Sequence, residues 1–202
     1  MFTLIRASKH LILNGIQGDF VECGVWKGGS VMAMAMTLDR LKEHRDILLF
    51  DTFSGMPTGC NLDRDFDGHN ESWYRDKSGA HSSAGSEPSW NAVSLQDVQK
   101  NLSQIGQTLQ KFHFFQGKVE DTLPHSAPDK IALLRLDTDF YSSTKHDLVC
   151  LFPRLAKGGI LIVDDYGHFL GARKAVDEYF QENDIRMFLT RIDYTAVVGV
   201  KS

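Results

Sequence analysis

Four aspartates close two apolar runs: "IALLRLDTD" puts Asp137 and Asp139 two positions apart, and "GGILIVDD" ends on Asp164 and Asp165. Carboxylates at the ends of buried strands are tolerated when they are paired, hydrogen-bonded or bound to a metal. Acids without His or Cys ligands among them form a hard oxygen site, suited to Mg²⁺, Mn²⁺ or Ca²⁺ rather than zinc. Adjacent strands lie about 4.8 Å apart, so acids at two neighbouring strand ends can share one ion. A second constellation lies near the N-terminus. "FVECGVWKGGS" (20–30) reads as strand, then Glu22-x-Gly24-x-x-x-Gly28-x-Ser30, then helix. Its glycines permit a sharp turn and let a ligand approach bare backbone. The spacing is not the dinucleotide fingerprint G-x-G-x-x-G. Asp51 closes the next apolar run, "DILLF", where an acid can accept hydrogen bonds from a ribose diol.

These residues need elements to hold them. Strands are expected at 19–23, 46–50, 111–117, 130–137 and 159–165, with a helix along "SVMAMAMTLDRLKEH" after the glycine loop. Ala172, Ala175, Val176, Tyr179 and Phe180 follow the spacing of one helical face. "IRMFLTRID" and "YTAVVGVK" are close enough to pair antiparallel at the end. Alternating strands and helices predict an α/β fold, a mostly parallel sheet covered on both faces, with ligands at the strands' carboxyl ends. All the acids singled out lie at such ends.

Composition narrows the class. The 202 residues suit a single domain (1–202), and 42% hydrophobic content with 10% aromatics supplies an ordinary core. A formal charge of −4 offers no basic footprint, so neither nucleic acid nor an anionic membrane is expected as partner. Cys23, Cys60 and Cys150 are odd in number and lack knuckle spacing, which reads as free thiols in a reducing cytoplasm. The start, "MFTLIRASKHLILNGIQGD", reads as a short amphipathic helix, and no run reaches membrane-spanning length. Residues 58–92 form a polar, Gly- and Ser-rich insertion containing Trp73 and Trp90, expected to be a mobile lid. Within it, "DRDFDG" starts like an EF-hand loop, but Tyr74 stands where the twelfth-position glutamate belongs. The expectation there is a solvated acidic turn.

The motifs "VECGVWKGGS", "FDTFSGMP", "EDTLP", "LRLDTDFYSST" and "LIVDDYG", followed by the helix "GARKAVDEYF", occur in the order found in the macrocin O-methyltransferase (TylF-type) family. The glycine loop likewise resembles the S-adenosylmethionine loop of class I methyltransferases. The resemblance implies the class I methyltransferase Rossmann-like fold, a seven-stranded, mostly parallel sheet with an antiparallel C-terminal strand and helices on both faces. It implies S-adenosylmethionine as cofactor, held by Glu22, Gly24, Trp26, Gly28, Ser30, Asp51 and Phe53. It implies a divalent metal, usually Mg²⁺, on Asp137, Asp164 and Asp165, with Asp139 as the catalytic base. The implied activity is O-methylation of a hydroxyl, on a sugar of a natural product or glycan, so the partner is a small-molecule or glycoside acceptor. Assembly as a homo-oligomer stays open. The chain departs from the family at Thr138, where glycine is usual, and at Ser54, where an acid is common. Two rivals remain: a non-catalytic S-adenosylmethionine- or metal-binding module, and a phosphohydrolase of the haloacid dehalogenase type. The second also ends a strand on D-x-D, but on the first strand of its domain. His168, just after "DDYG", is read as a solvated loop residue, and Tyr141 as packing.

Overall fold

The computed structural model describes residues 1–77, 91–106 and 109–202. Helix α1 (Phe2–Leu13) leads into β1 (Asp19–Cys23), α2 (Gly29–Arg40) and β2 (Ile47–Asp51). There follow α3 (Glu71–Lys77), α4 (Leu95–Gln104), β3 (Phe112–Gln116), α5 (Val119–Thr122), β4 (Ile131–Leu136) and α6 (Tyr141–Leu151). The chain ends with β5 (Leu155–Val163), α7 (Leu170–Glu182), β6 (Leu189–Arg191) and β7 (Val197–Val200). The strands form one seven-stranded sheet in the order β3-β2-β1-β4-β5-β7-β6. β1 to β5 pair parallel, and β7 runs antiparallel to both of its neighbours. This is the sheet expected from the sequence.

The strands sit in the middle because their sequences are apolar on both faces. Every residue of β4 is buried, the mark of a strand covered on each side. Leu133 packs with Phe20 and Leu49 under α1, α2 and α4. Leu134 and Leu136 face the opposite way, with Val21 and Phe50 against α6 and α7. Truncating a buried leucine such as Leu133 to alanine costs about 2–5 kcal/mol. The chain winds outward from β1 to β2 and β3, then returns to place β4 on the other side of β1. The strand order therefore reverses between β1 and β4, and in open sheets that crevice is where ligands bind. It is flanked by the glycine loop and by Asp137.

Three differences from the sequence reading have local causes. β5 starts at Leu155 rather than Gly159, because two glycines interrupt its apolar pattern where the pairing register shifts. α4 has no counterpart in that reading. It buries little more than Val98 and Leu102, but Ser94 caps it by accepting from the Asp97 amide. The first half of the insertion is built rather than structureless. It carries α3 and two isolated bridges, Arg64 with Asn70 and Asp65 with Phe169. Two acids of the "DRDFDG" turn are buried rather than solvated, Asp63 at 1% and Asp65 at 3% exposed, while Asp67 is exposed. Asp63 accepts from the amides of Tyr141 (2.6 Å) and Cys60 (2.7 Å), tying the insertion to the start of α6. Asp65 accepts from the amides of Asp67 and His69 and from the Tyr74 hydroxyl. Residues 78–90, with Trp90 and the rest of the expected lid, lie outside the described residues. Among the described residues, no helix is long and apolar enough to cross a membrane, and Cys23, Cys60 and Cys150 are free thiols.

Candidate active site

The glycine loop is shaped by its neighbours. Gly24 takes φ +83°, and a Cβ there would stand 2.0 Å from the Asp137 carbonyl oxygen. Only glycine lets the ends of β1 and β4 come so close, with the Asp137 amide donating to the Cys23 carbonyl at 2.8 Å. Gly28, at φ +81°, turns the chain into α2, and Ser30 lies in that helix's first turn. Asp51 holds the loop from β2. Its Oδ2 accepts from the amides of Val25 (2.6 Å) and Trp26 (3.1 Å), and its Oδ1 from the amide of Phe53 (2.7 Å). An ionised carboxylate offers about four acceptor directions. With three of them given to backbone amides, Asp51 is first a brace for the loop and retains room for about one ligand hydroxyl. Trp26 (φ +46°) is exposed, with the Lys27 ammonium 4.5 Å from its ring centre, while Phe53 (φ +50°) is buried beside Phe114. The adjoining cleft is lined by Gly24, Asp51, Thr52, Met56, Lys118, Glu120 and Thr138. Glu120 enters it as the first residue of the "EDTLP" motif, and Lys118 lies two residues before it.

The expected metal ligands come together. Asp137 follows β4, and Asp164 and Asp165 follow β5; one oxygen from each lies within 4.8 Å of the others. Hydrogen bonding from the Asp164 amide to the Leu136 carbonyl (2.9 Å) sets the two strand ends level. Asp139 has φ +62°, a left-handed conformation that a non-glycine residue adopts at some cost, held here by the start of α6. Ser143 Oγ donates to the carbonyls of Thr138 and Phe140, and Thr138 Oγ1 donates to Asp147 on α6. Thr138, the departure from the family pattern, therefore ties the turn to a buried acid. Burial raises the Asp139 carboxyl to about 7, and the charges of Asp137 and Asp164 push the same way against a hydrogen bond with Asp165. Burial likewise raises Asp164 to about 6, helped by Asp137 and opposed by Arg135. Asp165 is driven well above the carboxylate range by burial and by Asp139, and Asp137 is also raised.

Two residues in this site escaped the sequence reading. Arg135 is the guanidinium among the acids: Nη1 donates to Glu22 Oε1 (2.5 Å) and Asp137 Oδ2 (2.8 Å), and Nη2 lies 2.9 Å from Asp164 Oδ1. Glu22 and Arg135 are register partners on β1 and β4, and Asp137 is two residues on, so all three share one face. The signal was present as a lone basic residue in the run "IALLRLD", alternating onto the face of Asp137. Glu22 is 1% exposed and raised to about 7 by burial in spite of Arg135; its Oε2 has no hydrogen-bond partner among the described residues. His168 is the second. It is not solvated but held between Tyr74, 2.9 Å from Nε2, and Tyr194, 2.9 Å from Nδ1. Tyr74 gives its proton to Asp65, so it accepts from Nε2–H, and Nδ1 accepts from Tyr194. Both ring nitrogens are thus engaged, linking the loop after β5 to the insertion. Tyr141, read as packing, donates its hydroxyl to Glu178 on α7.

A reversal of strand order between β1 and β4, a glycine loop after β1 and an antiparallel seventh strand define the class I O-methyltransferase fold. The solved O-methyltransferase NovP superposes with a TM-score of 0.83 at 31% identity, covering 99% of this chain and 78% of that one. The family model of macrocin-O-methyltransferase (TylF) matches residues 1–200, and the chain belongs to that family. It is similar to demethyldecarbamoylnovobiocin O-methyltransferase of Streptomyces niveus, 34% identical over 195 residues, 94% of this chain and 68% of that one. It is also similar to 8-demethyl-8-(2,3-dimethoxy-alpha-L-rhamnosyl)-tetracenomycin-C 4'-O-methyltransferase of Streptomyces olivaceus, 33% identical over 197 residues, again 94% and 68%. The protein is an O-methyltransferase, and its fold is that of enzymes using S-adenosylmethionine. The dehalogenase-type rival falls with the topology, since Asp137 ends the fourth strand and not the first.

Proposed function

We propose that the protein transfers the methyl group of S-adenosylmethionine to a sugar hydroxyl of a natural product or glycan, with a divalent cation, Mg²⁺ or a similar hard ion, in the site. The observation that carries this reading is the convergence of Asp137, Asp164 and Asp165 beside the glycine loop at the switch in strand order. The donor set fits such an ion. Its oxygens belong to carboxylates: Glu22, Asp137 and Asp164 pair with Arg135, and Asp139 and Asp165 add two more acids beside them. Bound there by Asp137, Asp164 and Asp165, a hard dication supplies Lewis-acid stabilisation of a hydroxyl losing its proton.

The chain's own residues supply the rest. The loop from Gly24 to Ser30, braced by Asp51 and including Trp26, would hold the cofactor, with Phe53 supporting it from the core. Asp139 takes the proton of the reacting hydroxyl; its raised carboxyl is matched to work near neutral pH. The hydroxyl oxygen then attacks the methyl carbon as the carbon–sulfur bond breaks, releasing S-adenosylhomocysteine. Sulfonium is already a good leaving group, so alignment of acceptor and methyl supplies much of the rate. A glycosyl acceptor is supported by the relative from Streptomyces olivaceus, a 4'-O-methyltransferase of a rhamnosyl tetracenomycin. Incubation with methyl-labelled S-adenosylmethionine and a panel of glycosides, with and without EDTA, tests the proposal. Metal-dependent label in a glycoside is expected. An undiminished rate in EDTA removes the metal, and label confined to non-sugar hydroxyls removes the sugar.

A further inference from the structure

Arg135 sits where a cation is least expected, against two of the three acids proposed to hold a dication. Its Nη1 is bonded to Asp137 Oδ2 and its Nη2 to Asp164 Oδ1, one oxygen of each carboxylate. The second oxygen of each stays outside this pair of contacts. Asp137 and Asp164 belong to neighbouring strands, so the planar fork of one guanidinium fixes both side chains relative to each other. The fork is itself fixed from behind by Glu22, its register partner on β1, through Oε1 at 2.5 Å. Two physical effects then oppose each other. A permanent positive charge beside the ligand oxygens repels a dication. Oriented ligands bind a metal better, and partners that orient them are typically worth about 10–100-fold in affinity. Charge leaves room for both cations: a dication and a guanidinium total three positive charges against the five carboxylates of Glu22, Asp137, Asp139, Asp164 and Asp165 when ionised.

We propose that Arg135 is a positioning residue which, anchored by Glu22, presets Asp137 and Asp164 to receive the metal. This rests on the metal reading given above. Its signature is a sign: removing a positive charge from a cation site weakens cation binding.

Calorimetric titration of Mn²⁺ into protein saturated with S-adenosylhomocysteine, without acceptor, reads this apart from turnover. Arg135→Gln should bind Mn²⁺ about 10–100-fold more weakly than the parent. Arg135→Lys, which keeps the charge but loses the fork, should stay closer to the Gln variant than to the parent. Binding as tight as, or tighter than, the parent in Arg135→Gln reduces Arg135 to a counter-ion and overturns the inference. Glu22 is buried, and leaving it unpaired can prevent folding. The pair Glu22→Gln/Arg135→Gln removes both charges and leaves the aspartates in place; it should show the same loss, and parental affinity in it equally overturns the inference. If the parent itself takes up no Mn²⁺, the metal reading fails and this inference with it. A metal-binding parent beside an unaffected Arg135→Gln rejects the inference alone.

Discussion

Two D-x-D motifs look alike on paper, Asp63-x-Asp65 in the insertion and Asp137-x-Asp139 after β4, and they meet opposite electrostatic fates. In the first, the acids are buried but saturated with donors. Burial works to raise Asp65, yet the Tyr74 hydroxyl and the His69 amide and imidazole bring it down to about 2. In the second, Arg135 pairs with Asp137 and its neighbour Asp164, Asp139 is left to share a hydrogen bond with another acid, Asp165, and burial carries Asp139 up to about 7. The difference is the supply of N–H and O–H groups. A tight turn folds its own amides onto Asp65, whereas parallel strands spend theirs on the sheet. An acid at a strand end must therefore find a cation or keep a proton. The first motif is scaffold, and the second is left with unmet charge that a metal or a substrate proton can satisfy.

The sharpest way to break this comparison is to neutralise acids in each motif. Asp164→Asn should abolish metal-dependent methyl transfer, with Mn²⁺ binding lost in the same calorimetric titration. Asp139→Asn should keep metal and cofactor affinity while kcat falls about 10²–10⁴-fold, roughly 3–5 kcal/mol of transition-state stabilisation. If Asp139→Asn loses the metal as completely as Asp164→Asn, Asp139 is a ligand and another group takes the proton. Asp63→Ala should do neither. It removes the acceptor of the Tyr141 amide at the start of α6, which costs about 1–2 kcal/mol of stability on the scale of a lost helix cap. Thermal unfolding should show a lower Tm, while kcat per folded molecule holds. A kcat loss comparable to that of Asp139→Asn would place the insertion in the chemistry.

Part of this contrast was legible in the sequence and part was not. Asp137, Asp139, Asp164 and Asp165 stand out because each ends an apolar run, and parallel strands bring their ends to one edge. Gly24 and Gly28 stand out because a strand-to-helix turn needs left-handed backbone. Arg135 did not stand out, because its meaning depends on register with Glu22, 113 residues away in sequence. His168 lacked partners within its own segment, since Tyr74 and Tyr194 arrive from 94 residues before and 26 after. The insertion's acids misled because a polar, glycine-rich string looks the same whether its carboxylates face water or cap amides. Local pattern shows where chemistry-bearing groups lie; their protonation is set by long-range packing that the pattern does not encode.

Protonation also gives a pH test. Glu22 and Asp139 at about 7 and Asp164 at about 6 lie above the ordinary carboxylate range, burial being the main cause in each. For a raised acid, the stabilisation is fully present below the unfolded pKa and is lost as pH rises through the folded one. Metal-free protein should therefore show a Tm that falls as pH rises from about 4 to about 7 and levels off above that. A hard dication needs the ionised carboxylates, so its binding should strengthen over the same window and release protons. Scans at each pH with and without Mg²⁺ should show the ion's stabilisation growing with pH. A Mg²⁺ effect constant from pH 5 to 8 would mean that the strand-end acids are already ionised, and the contrast with the insertion would disappear.

The smallest expected effect concerns the seam between the two regions. Tyr74 donates to Asp65 and accepts from His168, joining the insertion to the loop that carries Asp164 and Asp165. Tyr74→Phe removes that hydroxyl and leaves the ring. Asp65 has a lowered pKa, so its contribution to stability is present above the unfolded value and is lost as pH falls through about 2. Without the Tyr74 donor the carboxyl should titrate closer to the ordinary range, and the acid-unfolding midpoint should move to higher pH by a fraction of a unit. Stability at neutral pH should drop by only about 1 kcal/mol, the net worth of an ordinary hydrogen bond. Carboxyl titration followed by NMR, with acid unfolding followed by circular dichroism, reads both. Asp65 keeps its amide donors from Asp67 and His69, which is why the shift is expected to be partial. If the carboxyl instead returned all the way to the ordinary range, the amides would be contributing little. The account of the insertion as a scaffold held by its own backbone would then be wrong.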